Sequence, residues 1–165
     1  MEISIKSTSL LIAVVLTGLS AGLFYAWQVS VIPGTRKVTD LTYLQTMQSI
    51  NRAILNPAFF LIFFGCLILL IINTIQQLNT GIIFWLLLSA TLIYLIGTFG
   101  VTVFGNVPLN NTLEAMDLTR LGEDKAMEFR QVYEQKWNRF HLIRTVFSVI
   151  SFLFSVLAIL SYSGQ

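Results

Sequence analysis

Four stretches of this sequence, about residues 8–32, 58–75, 82–104 and 142–162, are almost wholly apolar, and Arg144 is the one charged side chain within them. A helix needs about 20 such residues to cross a hydrocarbon core of about 30 Å. In lipid the backbone must satisfy its own hydrogen bonds, which within one segment only a helix achieves. The expected fold is therefore all-α, a four-helix transmembrane bundle. A length of 165 residues fits one membrane-embedded domain, residues 1–165. Only 11% of the residues are charged, against about 25% in ordinary soluble domains. So few charges cannot cover a water-facing surface.

The first stretch has features of a secretory leader, since Lys6 precedes it and Ser20-Ala21-Gly22 imitates a cleavage site. The apolar run continues through Leu23-Phe24-Tyr25-Ala26-Trp27, which is too long for a leader's core, so a retained span is expected. Between the second and third stretches, the uncharged run Gln76-Gln77-Leu78-Asn79-Thr80-Gly81 forces a hairpin. The two longer connections then share one side of the membrane. They hold nine of the ten Lys and Arg residues, Arg144 included, and only Lys6 falls opposite. The positive-inside rule puts both connections in the cytoplasm and both termini outside.

Neither connection reads as a plain loop. Thr39-Asp40 resembles a helix start, and Leu41, Leu44, Met47, Ile50 and Ile54 recur at helical spacing up to Asn56-Pro57. In the second connection, Asn111 and Glu114 have the spacing of a capping box. Leu118, Leu121, Phe129, Val132, Lys136 and Phe140 suggest a further helix, broken near Gly122, whose later part runs into the fourth span. Additional amphipathic helices are thus expected in both same-side connections.

The polar residues at the span ends converge on that side. Tyr25, Trp27 and Gln28 close the first span, and Gln48, Asn51, Arg52 and Asn56 follow on the first connecting helix. Thr98, Thr102 and Asn106 make a stripe of four-residue spacing that leads to Pro108 and Asn110. Trp137, Asn138, His141 and Arg144 begin the fourth span, with Trp137, His141 and Arg144 on one face. Each has an ordinary use: the aromatics in an interfacial belt, Arg144 as a snorkelling cation, the threonines bonded to their own helix. Together they exceed what an interface requires, and a pocket is expected.

Several classes are excluded or disfavoured. A net charge of +2 offers no basic face for nucleic acid, which is not an expected partner. One Cys, Cys66, and one His, His141, supply no disulfide framework and no metal-ligand set, so no metal site is expected. No acidic residue lies at mid-membrane to serve an ion relay.

The segments Gly22-Leu23-Phe24-Tyr25-Ala26, Met47-Gln48-Ser49-Ile50-Asn51-Arg52 with Asn56-Pro57, Phe104-Gly105-Asn106-Val107-Pro108-Leu109-Asn110, and Trp137-Asn138-Arg139-Phe140-His141-Leu142-Ile143-Arg144-Thr145 resemble the DUF1772 family of anthrone oxygenase-like membrane proteins. Some members of that family look like oxygenases that convert anthrones to anthraquinones without metal or flavin. Some carry Asn at the position matching His141. The resemblance implies no cofactor, a membrane-lipid environment, and a lipophilic small molecule as substrate. A bacterial plasma membrane is the expected location, and oligomerisation is open.

Two functions follow as expectations. The first is a cofactor-independent oxygenase of a lipophilic aromatic carbon acid. His141 would be its base, Arg144 and Arg52 would stabilise the enolate, Asn106, Asn110 and Gln48 would orient its oxygens, and Trp27 or Trp137 would stack on the rings. Asn51, Tyr25 and Asn138 complete the expected substrate-binding set. The second is a non-enzymatic protein that binds a lipid or quinone-like ligand, or scaffolds a partner, through the same arginines.

Overall fold

A computed structural model describes residues 4–163, and every regular element among them is helical. The first membrane helix comprises α1 (Ile5–Ala26), a π-helical turn (Trp27–Val31) and α2 (Ile32–Thr35). A connecting helix, α3 (Asp40–Ala53), leads to the second span, α4 (Pro57–Gln76). The third span starts as α5 (Ile82–Ile93), passes through π-helical segments Tyr94–Gly100 and Thr102–Asn106, and ends as α6 (Val107–Glu114). The last helix, α7 (Glu123–Ser163), is unbroken over 41 residues. Four of these rods are long and apolar enough to cross a membrane. The chain is an integral membrane protein built as an all-α bundle.

Local chemistry sets the joints. Asn56 caps α4 by accepting from the Phe59 N–H at 3.0 Å, and Pro57 fills the first turn, where no donor is needed. The hairpin before α5 turns on Asn79 and Gly81, whose φ values of 69° and 63° lie in the left-handed region. Pro108 does not end the third span, because the preceding π-helical segment accommodates it. The expected capping box at Asn111 and Glu114 is therefore corrected: both lie inside α6, not before a new helix. Leu118 and Leu121 fall in the non-helical link that precedes α7.

Around the bundle the order is α1, α4, α5, α7, each packed on its neighbours and with α7 closing on α1. The usual pattern of a soluble core is inverted. Leu11, Val15, Ile68, Ile75, Trp85, Leu153 and Leu157 face outward, whereas Thr17, Ser20, Thr91, Ser148, Ser151 and Ser155 are buried. Lipid gives apolar side chains no reason to hide, so small residues and interhelical hydrogen bonds hold the helices together. Thr17 meets Ser155 at 3.0 Å, Ser20 meets the Tyr94 hydroxyl at 3.0 Å, and Ser151 donates to the Ala90 carbonyl at 2.8 Å. At Gly105, an added Cβ would stand 2.7 Å from the Phe140 ring, so α7 fits against the π-helical segment only because that side chain is missing.

The two long connections form a cap over one end. Tyr43, Leu44, Met47, Leu113, Leu118, Tyr133 and Trp137 share its core. Arg130 ties this cap together, donating to the Val38 carbonyl at 2.8 Å, Asp40 Oδ1 at 3.0 Å and Glu134 Oε2 at 2.8 Å, with its guanidinium over the Tyr43 ring. Burial, with help from the Glu134 carboxylate, pushes the Tyr43 hydroxyl well above the ordinary phenol range, so it stays protonated. Arg130→Met is expected to lower stability by about 2–3 kcal/mol, less than for a fully buried pair because the Asp40 side chain is 40% exposed. Thermal unfolding in detergent measures it.

Candidate functional site

Where the cap meets the bundle, α1 with its π-helical turn, α3, the start of α4, α6, α7 and the Thr102–Asn106 segment surround a partly open cavity of about 340 Å³. That lies at the small end of the range of about 300–1,000 Å³ usual for ligand pockets. Its walls are largely apolar and aromatic, from Leu23, Phe24, Trp27, Ile54, Phe59 and Trp137. Its polar lining comes from Asn51, Arg52, Thr102, Asn110, Asn111, Glu114, His141 and Arg144.

At the inner end His141 is fully buried, and its ring stacks on Trp137 with centroids 5.1 Å apart and planes within 7°. Four-residue spacing on one helix produces that overlap. Arg144 Nε and Nη2 lie 3.1 and 2.9 Å from His141 Nδ1. A guanidinium can only donate, so Nδ1 is the accepting nitrogen. Nε2 then carries the proton and donates to the Phe24 carbonyl at 3.1 Å. The imidazole is thus neutral, with both nitrogens engaged.

Arg144 is itself 8% exposed, and among the described residues no carboxylate stands within ion-pair distance of it. Its charge rests instead on the faces of Phe24 and Trp137, 4.6 and 5.1 Å from the ring centroids. Nη1 makes a long contact of 3.5 Å to Thr102 Oγ1. Of the five N–H groups, three face these protein acceptors. Two have no protein acceptor among the described residues.

The outer end carries a different pair. Arg52 Nε and Nη2 both reach Glu114 Oε1 at 2.8 Å, and Nε reaches Oε2 at 3.0 Å. Arg52 is thereby neutralised by a partner that sequence reasoning did not select. Glu114 had been assigned to a cap, and only the continuity of α6 through Pro108 carries it to the cavity.

The remaining candidates divide. Asn110 lines the cavity and accepts from Trp137 Nε1 at 2.8 Å and the Tyr133 hydroxyl at 3.4 Å. Asn51 also lines it; its amide neighbours the Tyr133 hydroxyl, yet Nδ2 makes no bond of ordinary geometry. Trp27 packs beside Trp137 at 5.8 Å. Four candidates lie outside the lining. Gln48 donates to the Leu113 and Met116 carbonyls at 2.8 and 3.1 Å and so ties α3 to the end of α6. Asn106 is 1% exposed and donates to the Trp137 carbonyl at 3.2 Å. Tyr25, 57% exposed, points away from the bundle, and Asn138 is half-buried on α7 outside the cavity. Phe24 joins the site without a sign in sequence, since nothing about an apolar ring announces a guanidinium against it, whereas Thr102 of the polar stripe bonds its own helix at Thr98 and also meets Arg144.

No curated protein and no solved structure matches this chain. The family model described as anthrone oxygenase matches residues 45–154, which take in most of the cap, the second and third spans and more than half of the fourth. With well over half of its length matched, the chain belongs to the anthrone oxygenase family, DUF1772.

Proposed function

We propose that the cavity binds a lipophilic aromatic ketone or phenol with an acidic C–H or O–H, and that the protein is an oxygenase of such compounds that uses dioxygen without a cofactor. The observation that carries this reading is Arg144, a buried guanidinium without a carboxylate, facing a small cavity with aromatic walls. An isolated buried cation is costly. A ligand that becomes an anion on binding offsets that cost, and an enolate or phenolate flanked by flat rings fits both charge and walls.

The chemistry suits an anthrone. Its methylene, conjugated through two rings to a carbonyl, loses a proton and leaves an electron-rich enolate. One electron passes to dioxygen, the carbon radical and superoxide combine to a peroxide anion, and transfer of the second C–H proton to its outer oxygen expels hydroxide, which the first proton converts to water. The carbon becomes a carbonyl, and water is the other product. Arg144 opposes the oxyanion, Trp27 and Trp137 face the rings, and Asn51 and Asn110 orient the oxygens. His141 has no free lone pair for a substrate proton, and its proposed role is to hold Arg144. We place the cap in the cytoplasm, on the strength of its Lys and Arg residues.

The test is incubation of the purified protein with anthrone in air, followed by mass spectrometry of what it retains and releases. Anthraquinone formed faster than in a protein-free blank is expected. A ligand that copurifies and is recovered unchanged, with no oxygenated product, would favour a binding protein instead.

A further inference from the structure

We propose that Glu114 is the proton acceptor of this cavity, held in position by Arg52. The proposal rests on the oxygenase reading above and names a group that the reading lacks. Among the side chains that line the cavity, only His141 and Glu114 are of a type that serves as a general base. His141 is already committed, since Nδ1 receives Arg144 and Nε2 donates to the Phe24 carbonyl. Protonating Nδ1 would require two guanidinium N–H groups to be displaced and would set a second cation against the first.

Glu114 is also paired with a guanidinium, but it keeps accepting capacity. Oε1 receives both close contacts from Arg52, while Oε2 takes one longer contact, leaving lone pairs on that oxygen for a substrate. Both side chains are partly open to solvent, 64% and 45% exposed, and the contacts from Arg52 to both carboxylate oxygens favour one orientation of the base at the cavity mouth.

Position along the helix adds to the case. Thr102, which touches Arg144, and Glu114 lie on one nearly continuous helix, about three turns or roughly 18 Å apart at the backbone. Arginine and glutamate therefore approach the same cavity from opposite ends. A tricyclic ketone has its carbonyl oxygen and its acidic methylene on opposite sides of the central ring. With the oxygen against Arg144, the methylene points toward Glu114. The carboxylate accepts the methylene proton, the C–H electron pair enters the ring system as enolate, and the same proton later goes to the hydroxide that leaves as water.

The experiment separates proton transfer from oxygenation. The full-length protein in detergent is mixed with anthrone in deuterium oxide without dioxygen, and loss of the methylene proton signal is followed by NMR against a protein-free blank. Glu114→Gln preserves shape and an acceptor for Arg52. It is expected to cut the protein-dependent exchange by about 100-fold or more. Anthraquinone, which has no acidic C–H, should quench the fluorescence of Trp27 and Trp137 with the same midpoint in both proteins. Exchange at the wild-type rate in Glu114→Gln overturns the assignment and leaves the oxygenase reading standing. Loss of anthraquinone binding together with exchange also overturns it, making the Arg52 pair purely structural. Wild-type exchange that yields no anthraquinone once air is admitted supports Glu114 and defeats the oxygenase reading; no exchange above the blank in the wild type defeats both.

Discussion

Arg144→Gln is expected to reduce turnover of an anthrone-type ketone by about 100- to 1,000-fold, the usual effect of removing a group that stabilises developing oxyanion charge. Gln keeps an amide donor but no charge, and at a buried position the charge carries most of the effect. Arg144→Lys should fall between the two, since an ammonium restores charge without the planar fork that spans His141 and the cavity. Initial rates at rising ketone concentration measure this. Stability should move the other way. Arg144 is 8% exposed and has no carboxylate partner among the described residues, so Gln removes a buried charge rather than breaking a pair. A melting temperature that holds or rises while turnover collapses marks a group retained for chemistry. A melting temperature that falls together with turnover would make Arg144 a structural residue.

His141→Leu should show the complementary behaviour and destabilise the protein by about 3–5 kcal/mol, because Arg144 loses its main acceptor while remaining buried. The ring stack on Trp137 goes with it. His141→Asn separates the roles. The Asn oxygen comes close to the position of Nδ1 and can still receive Arg144, although the ring is lost. If His141 positions the guanidinium, Asn keeps measurable turnover and Leu does not. If His141 were the base, Asn and Leu would be equally inactive. Parallel thermal melts and rate measurements on both variants decide this.

Much of this architecture could be read from residue order. Runs free of charge fix the four spans, since lipid leaves the backbone no alternative to a helix, and the uncharged hairpin at 76–81 brings the span ends carrying Trp27, Asn110 and His141 to one side. Which residues face the cavity was less legible, because spacing gives a face but not the helix opposite. Tyr25 and Trp27 are two residues apart, and only Trp27 turns inward. Gln48 and Asn106 carry the right chemistry but find backbone carbonyls first. Glu114 was missed for a backbone reason. Proline at 108 reads as a helix stop, but the π-helical segment before it absorbs the interruption, and no residue type announces such a segment.

The unbroken α7 also determines the depth of the site. At 1.5 Å per residue its 41 residues extend about 60 Å, twice the hydrocarbon thickness of about 30 Å. The portion after Arg144 accounts for about 28 Å of that length. A hydrocarbon core matched to that apolar portion would put imidazole and guanidinium at its edge. On the proposed function, a flat lipophilic ligand would then meet the guanidinium from within the leaflet, without passing through water.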